Sequence, residues 1–193
     1  MKEKLVDMKT VVICASRYGS TIEAGRWIAQ RLLLDGLDVD VMSPAEVESI
    51  GDYDVVIIGS GLYGHRMLPE MDEFIDRHTD ELKEKKLALF ALAMKRESIF
   101  VRGQAHGGLN HLQYLFDKLG PSVVHADILP GEMAFKRLSE QDKASLEQFY
   151  GMLGLNETET KKRKHPRTLM CKSDFWEFAE TVMQRVACVG GRK

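Results

Sequence analysis

The strongest constraint on this chain is a rhythm of short, unbroken apolar runs, each followed by a turn and then by helical periodicity. Val11-Val12-Ile13-Cys14-Ala15 runs into the turn-like Ser16 to Ser20, and Asp54-Val55-Val56-Ile57-Ile58-Gly59-Ser60 and Leu87 to Ala93 repeat the design. Runs without polar alternation suit strands covered on both faces, as in parallel sheets. Val39 to Met42 and Val123 to Leu129 read as two weaker strands. Helical stripes lie between them: Ala24, Ile28, Ala29, Leu32 and Leu33 within Ser20 to Leu34, and Met71, Phe74, Ile75, His78 and Leu82 within Leu68 to Lys85. A third helix is expected over Leu109 to Leu119. A last one is expected from Asp174 to about Ala187, with Ser173 as its N-cap. A short helical turn is expected near Pro44 to Ser49.

Alternating βα units predict an α/β fold: a doubly wound, five-stranded parallel sheet in the order 2-1-3-4-5, with helices on both faces. In such sheets ligands bind at the carboxyl ends of the first and third strands. The 193 residues suit a single domain. The segment from about 130 to 170 exceeds an ordinary connection and reads as an insertion before the last helix. It holds a predicted helix, Ser139 to Tyr150, and then a polar stretch with the basic cluster Lys161, Lys162, Arg163, Lys164 and Arg167.

The formal charge of -2 gives no electrostatic case for a nucleic-acid partner, and none is expected. Three cysteines without CxxC spacing argue against a disulfide framework or a metal site, and Cys14 reads as a small core residue. No stretch approaches the roughly 20 apolar residues of a membrane span. Met1 to Lys9 carries charges of both signs and no apolar segment, so cytoplasmic residence is the expectation.

The most informative loop is Ser16-Arg17-Tyr18-Gly19-Ser20-Thr21, between the first strand and the first helix. A turn there aims backbone N–H groups and hydroxyls at one spot beside the positive helix N-terminus, which suits a phosphate monoester. The pattern is neither a P-loop nor a GxGxxG fingerprint. It resembles the flavodoxin family, whose first loop has the form [TS]-x-T-G-x-T and binds the phosphate of FMN; the match is Ser16, Gly19 and Thr21, with Tyr18 in place of the usual threonine.

Under that resemblance, two further loops would hold the flavin ring. Ser60-Gly61-Leu62-Tyr63-Gly64-His65 follows the third run; its aromatic can stack on a flat ring, and its histidine can exchange a proton near neutrality. Ala93-Met94-Lys95-Arg96 follows the fourth, where a cation near the ring would favour its anionic reduced form. His65 and Lys95 are the candidate catalytic residues.

Ile58 to His65, the basic pair after Met94, the long insertion and the Asp174-Phe175-Trp176 start of the last helix are similar to the menaquinone-dependent protoporphyrinogen oxidase branch of the superfamily. That resemblance spans Val11 to Val186. It implies an FMN oxidoreductase passing electrons to a quinone or a redox protein, with the insertion as a substrate contact or a peripheral contact to anionic lipid. The insertion departs from the branch: Glu132, Glu140, Asp142 and Glu147 stand ahead of the basic run, where an aromatic, Arg-rich segment is expected. A flavodoxin-type electron carrier with no small substrate of its own is the alternative reading, and a monomer and a homodimer both stay open. A phosphoacceptor receiver is a poor fit: it needs an acidic pair after the first strand, where Ser16 stands, and an aspartate after the third.

Overall fold

The computed structural model describes residues 8–101 and 104–189, so the charged N-terminal stretch up to residue 7 lies outside it. In chain order the first elements are β1 (Lys9–Ala15), α1 (Ser20–Leu34), β2 (Asp38–Met42), β3 (Val55–Gly61), α2 (Pro69–Arg77), α3 (Thr79–Lys83) and β4 (Lys86–Ala93). They are followed by β5 (Ser98–Val101), β6 (Gln104–Gly107), α4 (Gln113–Leu119), β7 (Val123–Pro130), β8 (Glu132–Met133), α5 (Glu140–Met152), α6 (Glu157–Lys164), β9 (Arg167–Thr168) and α7 (Lys172–Val189).

The main sheet runs β2-β1-β3-β4-β7, every pair parallel, which is the expected 2-1-3-4-5 order of a doubly wound fold. Successive side chains of a strand point to opposite faces, so the apolar runs feed two cores. Val11, Ile13, Val56, Ile58, Leu87 and Leu89 pack under α2, α3 and α4. Val12, Cys14, Val55, Ile57, Ala88 and Phe90 pack under α1 and α7. Burial pushes the Cys14 thiol up to about 12, so it stays protonated and serves as packing. Gly59 sits between Cys14 and Phe90 in register. A Cβ there would lie 2.0 Å from Phe90 Cζ, so glycine is what lets that ring cross the strand.

Several expectations change. The helix expected over Leu68 to Lys85 breaks at His78 into α2 and α3. There the Thr79 hydroxyl donates to the Ile75 carbonyl at 2.6 Å and competes with the helical ladder. The helix expected from Leu109 is 3-10 over Gly108–Leu112 and α-helical only from Gln113, after two glycines at positive φ. The short helical turn expected near Pro44 to Ser49 is a single turn over 44–46, closed by the Glu46 N–H on the Ser43 carbonyl at 3.1 Å. The last helix starts at Lys172, so Ser173 lies inside its first turn and is not the N-cap. The β5–β6 hairpin was not foreseen.

The segment 130–170, expected as an insertion, has its own architecture. β8 pairs antiparallel with β9 and closes it at the base. The Gly131 N–H donates to the Ala93 carbonyl at 2.9 Å and ties that base to the end of β4. Ser139 caps α5, and Asn156 with Glu159 forms a capping box on α6. The basic cluster is thus α6 and its exit. Lys164 pairs with Glu147 at 2.5 Å, and Arg167 donates to the carbonyls of Lys162 and Arg163 at 3.2 Å. No helix among the described residues is long and apolar enough to cross a membrane.

Candidate functional site

Parallel register brings the ends of β1 and β3 together, with Ala15 opposite Ser60, so the loops that leave them stand side by side. Gly19 has φ +95°, the left-handed conformation that lets the chain turn into α1 without a side-chain cap. The Ser16 hydroxyl accepts from the Gly19 N–H at 3.0 Å and the Thr21 N–H at 3.3 Å. Its own proton remains to donate outward. The helix ladder begins only with the Glu23 N–H on the Gly19 carbonyl, 3.0 Å. The N–H groups of Ser20 and Ile22 therefore precede it. Hydroxyls, a left-handed glycine and a helix N-terminus converge as an oxyanion requires. A phosphate monoester fits this donor set.

The other predicted residues sort by what they touch. Ser60 is fully buried, and its hydroxyl is spent on the backbone: it donates to the Gly61 carbonyl at 2.9 Å and accepts from the Leu68 N–H at 3.0 Å. It shapes the loop. Gly61 lies against both neighbours, since a Cβ there would sit 3.0 Å from Tyr63 Cε2 and 3.9 Å from Thr21 Oγ1. Leu62 and Tyr63 pack against the core under α2. Tyr63, Gly64, His65 and Arg66 close a two-residue turn, with reciprocal bonds of 2.9 and 3.2 Å between Tyr63 and Arg66. Both central residues have positive φ, +57° at Gly64 and +69° at His65, as a type I′ turn demands. Burial, helped by the charge of Asp142, pushes the Tyr63 phenol up to about 12, so it is a neutral ring.

At the end of β4, Ala93 and Met94 are half-buried and Lys95 is exposed. Arg96 turns back to β7, donating to the Ile128 carbonyl at 2.9 Å and to Asp127 at 3.1 Å. Of the predicted basic pair, only Lys95 is uncommitted to that strand.

The structure adds residues that no local pattern announced. α5 lies over both loops. Asp142 accepts from Arg17 Nη1 at 2.5 Å and from the Tyr18 hydroxyl at 2.6 Å. Burial opposes ionisation of Asp142, but the hydrogen bonds from Tyr18 and Arg17 and the guanidinium charge outweigh it and hold the carboxyl below its ordinary value. Arg17 lies over the Tyr63 ring, 4.3 Å from its centroid. Glu132 accepts from the Ser20 hydroxyl at 2.9 Å, and Arg137 donates to the Tyr18 carbonyl at 2.8 Å. His65 stacks on His111 at 5.2 Å and meets the edge of Phe149 at 6.0 Å. A cleft of about 440 Å³ opens beside the loop, lined in part by Glu23, Arg26, Trp27, Glu132 and Arg137. These partners lie more than 45 residues from the loops they touch, so only the tertiary fold reveals them.

The fold agrees with comparisons to known proteins. No curated protein sequence matches the chain. Among solved structures it is similar to two-electron reduced Megasphaera elsdenii flavodoxin (TM-score 0.54, 13% identity, 91% of this chain and 98% of that one). It is also similar to the flavodiiron protein of Giardia intestinalis (TM-score 0.52, 10% identity, 97% of this chain but 39% of that one). A third is the Flv1 flavodiiron core of Synechocystis sp. PCC6803 (TM-score 0.51, 15% identity, 95% and 38%). At such identities these likenesses speak for the fold. The flavodoxin domain family matches residues 11–160, from β1 into α6. The chain therefore belongs to the flavodoxin domain family, an FMN-binding electron-transfer fold, and its cofactor is FMN.

Proposed function

We propose that the chain is an FMN-dependent oxidoreductase that takes electrons from a reduced substrate or NAD(P)H and delivers them to a quinone or a redox protein. The observation that carries this reading is the donor set of residues 16–21, built as an oxyanion requires and adjacent to an aromatic-centred turn. Ser16, Gly19, Ser20 and Thr21 would bind the phosphate, with Arg17 and Tyr18 at its flank. Gly61 to His65 would form one wall for the ring, and Ala93 to Lys95 the other. When bound, FMN supplies the redox chemistry. The chain's part is to orient it, limit water and place charge: Lys95 as an exposed cation and His65 as a proton donor on the turn closed by Tyr63 and Arg66.

Within that class, the Tyr63-Gly64-His65 turn and the long insertion support a quinone-linked, protoporphyrinogen oxidase-like activity. Exposed Lys161, Lys162 and Arg163 on α6 support peripheral contact with anionic lipid. The test is anaerobic turnover of the FMN-loaded protein with a porphyrinogen or NAD(P)H as donor and a menaquinone analogue as acceptor, with no added protein. Turnover supports the enzyme. Electron delivery only to a partner protein would favour the carrier reading instead.

A further inference from the structure

We propose that the insertion is a latch: Glu132 and Asp142 compete with FMN for the groups that bind it. The inference rests on the assignment of residues 16–21 to the cofactor phosphate. Two exclusions carry it. The Ser20 hydroxyl has one proton, and it points to Glu132 at 2.9 Å; it serves a carboxylate or a phosphate oxygen, not both. The face of Tyr63 covered by the Arg17 guanidinium at 4.3 Å has room for one planar group. Arg17 is held there by Asp142, whose side chain is only 10% exposed. A flavin stacked on that face takes the place of the guanidinium.

The latch grips as a unit. β8 and β9 close its base, and Tyr18 is the hub of its grip. The Tyr18 hydroxyl donates to Asp142 and accepts from the Ser139 N–H at 2.9 Å, while its carbonyl accepts from Arg137. Each of these partners lies within 132–142. The Glu132 carboxylate at a loop suited to an anion repels a phosphate dianion, while the charge of Asp142 is spent on Arg17, so loading of the cofactor and closure of the latch oppose each other through the charge of Glu132 as well as through space.

The test is equilibrium titration of the full chain with FMN and, in parallel, with riboflavin, followed by flavin fluorescence. Glu132→Gln should tighten FMN about tenfold, the scale of one charge-assisted contact, and leave riboflavin unchanged, because Glu132 opposes only the phosphate. Asp142→Asn should tighten both ligands, because Asp142 holds Arg17 over the ring wall. Tyr18→Phe removes the hub hydroxyl without changing charge, and it serves if Asp142→Asn fails to fold. In the wild type, FMN should speed amide exchange across Ser139 to Met152. If Glu132→Gln and Asp142→Asn weaken FMN or leave it unchanged while Ser16→Ala weakens it, the insertion is a clamp or a bystander and the latch is overturned, with the phosphate-loop assignment intact. If Ser16→Ala affects FMN and riboflavin alike, or neither flavin binds, that assignment falls and the latch with it.

Discussion

Replacing Ser16 by alanine removes an acceptor that organises the whole phosphate loop. The Oγ atom takes the Gly19 N–H at 3.0 Å and the Thr21 N–H at 3.3 Å, and so fixes the turn from β1 into α1. A hydrogen bond of this kind is worth about 0.5–1.5 kcal/mol; water can take over the N–H of exposed Gly19, whereas the N–H of buried Thr21 loses its partner. Two such bonds amount to about 1–2 kcal/mol of loop order, to which the lost hydroxyl donor to the ligand adds a similar amount. If that order is spent on FMN, the dissociation constant rises about 30-fold or more. Riboflavin, which has no phosphate, should lose far less. Flavin fluorescence titration reads both ligands, and a melting curve checks that the variant is folded. An FMN affinity within twofold of wild type in a folded Ser16→Ala protein would show that Ser16 does not organise a phosphate site, as would an equal loss for riboflavin.

Other substitutions probe the scaffold. Gly59→Ala drives a methyl into the Phe90 ring and should cost about 1–3 kcal/mol as overpacking, read as a lower melting temperature that Phe90→Leu partly restores; an unchanged melt would show that the ring moves freely. His65 at φ +69° predicts that Gly or Asn will be tolerated while Val costs about 1–2 kcal/mol more; equal melts for the three would contradict the turn assignment. Burial, the largest cause, pushes half-buried His125 below the ordinary imidazole value of 6.5, with Asp127 opposing and Arg185 reinforcing the shift. The unfolded chain then binds the proton more readily than the folded one. Stability is therefore fully present above pH 6.5 and falls as pH drops below it. His125→Gln should flatten that part of the melting-versus-pH curve, and parallel curves would refute the assignment.

The sequence disclosed most where local pattern and burial agree. The runs at Val11, Val55 and Leu87 are uniformly apolar because both faces of the sheet are covered, and α1 spans Ser20–Leu34 as its stripe predicts. Legibility failed where a side chain competes with the backbone, as Thr79 does at the α2–α3 break. It failed too at β5 and β6, which are only four residues each and too short to carry a distinctive pattern. One missed element had left a signal: Asn156-Glu157-Thr158-Glu159 has capping-box spacing, so the basic cluster could have been read as a helix rather than a solvated run. Around the candidate site, the positions of the loops after β1 and β3 were legible because strand ends fix them. Their grip by Glu132, Arg137 and Asp142 was not, because it depends on how a long insertion folds back. Two of the acidic residues ahead of the basic run, Glu132 and Asp142, are among those that make the contacts.

The most direct test of the central claim is to titrate the purified full chain with FMN and follow the visible spectrum and the fluorescence. Saturable binding of one FMN per chain, a protein-bound flavin spectrum and weaker binding of riboflavin are the expected result. A folded chain that takes up no FMN at any concentration would contradict it.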